Sequence, residues 1–495
     1  MKKLGTLVSL IILVSISGYA QRKSEKRGLG YGYHSQKDLE ALAPGVSWWY
    51  NWFYQPDAGV RDTYQQSGVA YVPMAWNGDF NKTETINFLE ANPEVEYLLG
   101  FNEPNFKDQA NMTPSQAAAK WPELEELASR FDLKLIGPAV NYCGNCVSEN
   151  GTTYSDPIVY LDDFFAACQD CQVDYVAIHW YGCGGFDWYL DLFKKYNRPI
   201  WVTEIACWDQ DDISEDQQKS YLINVVDQME NDPDVFRYAW FVGRGDGPHI
   251  ALLAGDGELT ELGQLYVNMP VHDPADFVTL PSRIEAEYYQ TMSGIQLELT
   301  QDETGLMNVG YLDAGDSLSY QVEVPADRWY TFDLRVAGTA NGRVDLMMDG
   351  DFIKTIVIPS TGAWQRWQTL EDSLELPSGH HRLTLRVVSG GFNLNWLDIL
   401  TEREEKLIDP LGLEVPAWAR LFPNPTPRYF SIDLQNAAGP ISLEIRNMGG
   451  EVVWELREAY RQNLSKIDLK GLSSGVYLIY MSNGHMKEVQ KLIIK

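Results

Sequence analysis

Positive charge is scarce in this chain. Its 39 Lys and Arg stand against 69 Asp and Glu, a net charge of −30. Such a surface repels phosphate backbones and anionic lipid, so nucleic acid and acidic membranes are poor partners. A neutral polysaccharide is compatible with it. Beyond the N-terminal leader no apolar run is long enough to span a bilayer. Cysteine is confined to six positions, all between Cys143 and Cys207. There is no low-complexity tract and no internal repeat. What is abundant is aromatic: 16 Trp and 27 Tyr, more than cores usually need. Aromatic faces stack on sugar rings, although wide apolar cores also use Trp.

The leader "MKKLGTLVSLIILVSISGYAQ" has two lysines, an apolar stretch and the small-residue ending Gly18-Tyr19-Ala20. It reads as a signal peptide over 1–20. No cysteine follows it, which argues against a lipid anchor, and the mature chain is expected to be soluble and exported. An even cysteine count in an exported chain suggests disulfides. The pairs Cys143/Cys146 and Cys168/Cys171 have C-x-x-C spacing, which also matches a zinc ribbon.

Residues 28–268 alternate strand and helix signals. Eight strands are expected: "LGYGY", "VSWWYNW", "AYVPMAW", "EYLLGFNEP", "LKLIGPAVNY", "VDYVAIHWY", "PIWVTEIACW" and "FRYAWFVG". With helical segments between them, such as "SEDQQKSYLINVVDQME", they predict a (β/α)8 barrel. The proline-bearing stretch 269–280 reads as a linker. Residues 281–402 switch to short alternating segments and predict a β-sandwich, with a hairpin turn at "MDGDF". A second linker, 403–420, leads to a small all-β domain over 421–495.

In such a barrel the C-terminal ends of the strands form the active face. Glu103 follows the fourth strand and Glu204 ends the seventh, so both point into one mouth. Two carboxylates across a mouth are what glycosidic cleavage needs: one protonates the leaving oxygen, the other attacks the anomeric carbon or activates water there. Asn102 is placed to hold a sugar hydroxyl. His179 and Tyr181 are placed to orient Glu204, and Trp76 and Trp240 to form a sugar floor. Trp48, Trp49 and Trp52 crowd the second strand.

"NEP" at strand four and "TE" at strand seven resemble clan A of the retaining glycoside hydrolases. "SWWYNW", "YVPMAW", "LGFNEPN", "IGPAVNY", "YVAIHWYG", "WVTEIACW" and "YAWF" together resemble glycoside hydrolase family 128, endo-acting β-1,3-glucanases. The resemblance implies Glu103 as acid/base, Glu204 as nucleophile, a carboxylate separation of about 5–5.5 Å and no catalytic cofactor. With the barrel so assigned, Cys183 and Cys207 fall on adjacent loops of the active face and are expected to pair.

"RIEAEYY", "NVGYLDAGDSLSY", "TGAWQRWQTL" and "GFNLNWLDIL" resemble carbohydrate-binding module family 6. That implies a sugar cleft at Tyr311, Trp364 and Asn393, and a structural calcium held by Glu285, Glu287 and Asp398. "LFPNPT", "IRNMGGEVV", "IDLKGLSSGVYLIYM" and "KLIIK" resemble the sorting domain of type IX secretion. That implies a secretion-machinery partner and a secreted or cell-surface protein of a Bacteroidetes-type cell. Nothing calls for an oligomer, so a monomer is expected. Competing readings are a transglycosylase or hydrolase on another β-linked glucan, and a non-catalytic glucan-binding protein.

Overall fold

A computed structural model of the chain describes residues 22–401 and, beyond them, the strands of the C-terminal region from Ala419 to Ile494. The leader at 1–20 and nearly all of the 403–420 linker lie outside the described residues. The chain divides into two compact units, 1–401 and 402–495.

The first unit opens with eight parallel strands: β1 (Arg27–Gly30), β2 (Trp48–Tyr50), β3 (Ala70–Tyr71), β4 (Tyr97–Leu99), β5 (Lys134–Val140), β6 (Tyr175–Trp180), β7 (Ile200–Ile205) and β8 (Val235–Phe241). Their ladder runs β3-β2-β1-β8-β7-β6-β5-β4. Just beyond β3, Ala75 N–H donates to Leu99 O, and Leu99 N–H donates to Pro73 O, both at 2.9 Å. These bonds curl the sheet shut between its first and last members. All eight expected strands are present.

Alternation along each strand sorts two cores. In "SWWYNW", Trp48 and Tyr50 fill the inside with Met74, Ile136, Ala177, Trp201 and Ala239. Trp49 faces outward, into the layer shared with the helices. Gly28 is required opposite Trp48, because a Cβ there would lie 2.2 Å from the indole. Most of the helices between the strands start on side-chain caps. The helix Glu215–Asn231 begins with a capping box between Ser214 and Gln217. The run "PSQAAAKWPELEELASRF" forms two helices, Pro114–Lys120 and Pro122–Phe131, with Pro122 at the start of the second. Proline lacks the N–H that a continuous helix would need there.

The 269–280 segment is seated rather than loose. Met269, Val278 and Leu280 are buried. The His272 ring stacks on Tyr289 with centroids 4.1 Å apart, and Val278–Thr279 pairs with a sandwich strand. Its apolar residues outweigh the proline signal that marked it as a linker.

The sandwich has two sheets. One contains β12 (Ser317–Val324), β14 (Gly342–Met348), β15 (Asp351–Ile358) and β17 (Gly379–Ser389), in the order β12-β17-β14-β15. The other runs β10 (Gln296–Leu299), β11 (Met307–Gly310), β18 (Phe392–Thr401), β13 (Arg328–Gly338), β16 (Ala363–Leu370). Strand β9 (Ser282–Glu285) also pairs with β18. The "MDGDF" turn has Asp349 and Gly350 both at positive φ, 54° and 93°, joining β14 to β15 as expected.

In the second unit, strands Val452–Ala459, Ile441–Asn447, Gly475–Ser482 and Lys487–Ile494 form one antiparallel sheet, in that order. Leu443, Ile445, Ile479, Met481 and Leu492 are buried on one face of it.

Candidate active site

The site is built at the C-terminal ends of the barrel strands. Past β4 the chain is pinned to both sides: Asn102 N–H donates to Trp76 O and Glu103 N–H to Ala139 O, each at 2.9 Å. Glu103 then takes a left-handed backbone, φ 43°. That conformation costs a non-glycine residue about 1–3 kcal/mol and clusters at functional sites. Glu204 lies within β7, and β6 places His179 directly opposite it in the ladder.

His179 Nδ1 is 3.0 Å from Glu103 Oε1 and 3.4 Å from Glu204 Oε2. One ligand atom from each of the three residues lies within 4.8 Å of the others. All three residues are buried. A cation among these atoms would displace the hydrogen bond between His179 and Glu103, so the trio is better suited to sharing a proton.

Glu204 is the more heavily solvated by protein. Its Oε1 accepts from Trp52 Nε1 at 2.7 Å and from Tyr50 Oη at 3.1 Å. Its Oε2 accepts from Tyr181 Oη. Burial and the charge of Glu204 push the Tyr50 and Tyr181 phenols well above their usual range, so both remain donors. Burial pushes the Glu204 carboxyl up. His179 pulls it down, Glu103 pushes it up again and the donors pull it down, and the net direction is upward. Burial lowers the His179 imidazole, but the charge of Glu204 and the bond to Glu103 raise it overall. The three donors on Glu204 work against that upward push, because each hydrogen bond favours the charged carboxylate.

The expected residues divide by the parity of their strands. Asn102 is buried beside Glu103, its Oδ1 without a partner. Trp76 sits half-buried at the rim against the inner core. Trp240 corrects the expectation. It is fully buried, packs on Tyr221 and Tyr266, and donates its Nε1 to Ile250 O. It faces the helices and cannot floor a sugar. Side chains alternate along β8, so Phe241, one residue on, takes the inner place beside Trp52, Tyr181 and Trp208. Sequence reasoning missed Tyr50 and the role of Trp52. The signal was the same alternation, which puts positions 48, 50 and 52 on one face.

Cys183 and Cys207 form a disulfide, as expected. Cys143–Cys146 and Cys168–Cys171 are disulfides too, which overturns the zinc-ribbon alternative.

On the sandwich, Tyr311 and Trp364 are 61% and 48% exposed, free to stack on a ring. Asn393 is buried, donating to Trp364 O at 3.1 Å and Glu298 Oε1 at 2.5 Å. Glu298 Oε1 also accepts from Asn308 and Gln365, at 3.0 and 3.3 Å. Glu298 had no sequence signal beyond an alternating strand. Glu285 and Glu287 each keep one buried carboxylate oxygen without a partner. Burial raises Glu285 to about 7 and pushes Glu287 well above the usual range. Two such oxygens suit a hard cation. Asp398 differs from the expectation: both its oxygens accept from Arg283, at 2.7 and 2.8 Å, so it is already neutralised.

Residues 28–266 match the family model for the glycosyl hydrolase catalytic core. Residues 285–401 match carbohydrate binding module family 6, and 420–495 match a secretion system C-terminal sorting domain. The GH128 (subgroup II) endo-β-1,3-glucanase of Sorangium cellulosum is 46% identical over 50% of this chain and 100% of its own, with a TM-score of 0.46. The carbohydrate binding module of Cellvibrio mixtus lichenase 5A, solved with cellotriose, is 38% identical over 25% of this chain and 98% of its own, with a TM-score of 0.24. Alkali-sensitive linkage protein 1 of Schizosaccharomyces pombe is 29% identical over 258 residues, 50% of this chain. The chain spans 45% of the length of that curated relative. Among the described residues no helix is long and apolar enough to cross a membrane. The sorting domain marks the protein for export, to the cell surface or beyond it. Sequence identity across the whole length of the Sorangium enzyme, with the carboxylate pair in place, makes this chain a member of glycoside hydrolase family 128.

Proposed function

We propose that the protein is an endo-β-1,3-glucanase that works with retention of configuration and grips its polymer through the appended sandwich. The observation that carries this reading is the pair of carboxylates, with oxygens within 4.8 Å of each other. Retaining glycosidases need about 5–5.5 Å between the carboxyl groups, and inverting ones about 6.5–9.5 Å to admit a water. Glu204, charged and held by three donors, attacks the anomeric carbon. Glu103 gives its proton to the leaving oxygen, and later takes one from water. His179 bridges the two and steadies the proton on the Glu103 side. The sequence relation to a β-1,3-glucanase supports the linkage.

In the sandwich, Tyr311 and Trp364 stack on glucose rings while Asn393 and Glu298 hold hydroxyls. A weak grip tethered to the catalyst raises the local concentration of chain ends and loops. Glu285 and Glu287, joined by Asp398 where Arg283 yields, would hold a calcium ion that ties the first and last strands of this domain.

The deciding experiment is reducing-end release by the purified mature protein on linear β-1,3-glucan, with xylan and cellulose alongside. Short β-1,3-oligosaccharides are expected from that glucan alone, and Glu204→Gln should lose about a thousandfold or more. Activity confined to xylan or cellulose would remove the proposed linkage. Turnover by Glu204→Gln above about 1% of the parent would remove Glu204 from the attacking role.

A further inference from the structure

We propose that Tyr50 and Trp52 are positioning residues for the second half of the reaction, holding Glu204 Oε1 while Oε2 alone bonds to the sugar. This rests on the retaining reading above. A carboxylate oxygen offers two in-plane lone pairs. Those of Oε1 are both taken, by Trp52 Nε1 at 2.7 Å and Tyr50 Oη at 3.1 Å. Oε2 accepts only Tyr181, and it is the oxygen on the His179 side, 3.4 Å from Nδ1. His179 is engaged by Glu103 at 3.0 Å. One lone pair of Oε2 is therefore free, and it is the attacking atom.

In the first step that lone pair forms the C1–Oε2 bond. The C1–O bond to the leaving sugar breaks, and its electron pair takes the proton of Glu103. Glu204 loses its charge, so the donors on Oε1 weaken. In the second step water attacks C1 and gives its proton to Glu103. The C1–Oε2 pair returns to Glu204, and the charge spreads back onto Oε1. Donors on Oε1 strengthen as that charge develops, so they favour release of the sugar over its capture.

Tyr50 is built for the alternation. Its hydroxyl has one proton and two acceptors, Glu204 Oε1 at 3.1 Å and Thr203 O at 3.0 Å. A charged carboxylate outcompetes a backbone carbonyl. An ester oxygen does not, so in the intermediate the proton can rest on Thr203 O and no buried donor is stranded. Trp52 supplies the fixed member. Its backbone is left-handed, φ 58°, and its ring is braced by Tyr50 and Phe241, with centroids 5.2 and 5.9 Å away.

The test uses the full mature chain, Tyr50→Phe and Trp52→Phe, and 2,4-dinitrophenyl β-laminaribioside, whose leaving group needs no proton. Proton NMR of the parent's first-formed product establishes retention separately. In each variant kcat and KM should fall together by about tenfold, leaving kcat/KM within about threefold of the parent. A burst of one dinitrophenolate per enzyme should appear, with the glycosyl mass on the chain. A retained product with kcat/KM falling as far as kcat, KM unchanged and no burst would overturn the proposal and leave the retaining reading standing. An inverted product would overturn both. Tyr50→Phe removes a single oxygen from a buried ring, so it decides the matter if Trp52→Phe melts early.

Discussion

The barrel and the sandwich each surround one carboxylate with three donors, and they do different things with it. Glu204 is held by two phenols and an indole. Glu298 is held by three amides, from Asn308, Gln365 and Asn393. The difference is the neighbour. Glu204 has a second carboxylate and an imidazole within 4.8 Å. Glu298 shares its donors with no other acid, and one of them, Asn393, also donates to the backbone of the half-exposed Trp364. A lone carboxylate held by amides can only accept hydroxyl protons in hydrogen bonds. A carboxylate facing another acid across an imidazole can pass charge one way and a proton the other. Bond breaking thus follows from the second titratable group, and gripping from its absence.

Removing that second group is the strongest way to break the contrast. Glu103→Gln keeps the size of the side chain and withdraws only the proton. On β-1,3-glucan, kcat should fall by about a thousandfold, the usual scale of general acid catalysis. On a dinitrophenyl glycoside the first step should be nearly unchanged, and azide should restore turnover by replacing the water that needs a base. Equal losses on both substrates, without azide rescue, would take Glu103 out of the acid/base role.

Much of this was legible in the sequence, because strand periodicity is strong wherever both faces are buried. The eight strand runs placed Glu103 and Glu204 at one rim and His179 on the neighbouring strand, and the ladder sets His179 opposite Glu204. What failed was parity at a single position. Trp240 and Phe241 are adjacent, and only the register of β8, which carries bulges against β7, decides which faces inward. The amide cluster around Glu298 was illegible for another reason. Its members come from β10, β11, β16 and β18, far apart in sequence and adjacent only in the folded sheet. The 269–280 segment looked like a linker because prolines signal loops locally, whereas its burial depends on the two domains it touches.

The grip can be tested without touching the catalyst. Trp364→Ala removes a half-exposed ring, so the fold should hold and retention on insoluble β-1,3-glucan should weaken by about tenfold. Cleavage of short soluble oligosaccharides should stay at the parent rate. Unchanged pull-down on the insoluble polymer would detach Trp364 from sugar binding and leave the sandwich without the role the contrast assigns to it.

The smallest expected effect concerns Glu285, which burial raises to about 7 in the folded chain. A carboxyl whose folded value lies above its unfolded value favours folding while protonated. That contribution is full below about 4.3, the ordinary glutamate value, and is lost as pH rises toward 7. Above that window Glu285 and its still more perturbed neighbour Glu287 are buried charges in want of a counter-ion. Calcium would supply one, so its stabilising effect should grow with pH. In calorimetric melts of the full chain, the sandwich transition at pH 8 should rise by a few degrees, on the order of 3–6 °C, with millimolar calcium over chelator. At pH 4.5 the same addition should do almost nothing. Glu287→Gln should flatten the calcium response at pH 8 while sparing glucan cleavage. A calcium shift of equal size at both pH values would mean that the ion binds elsewhere, and that these two carboxylates are neutral buried acids rather than ligands.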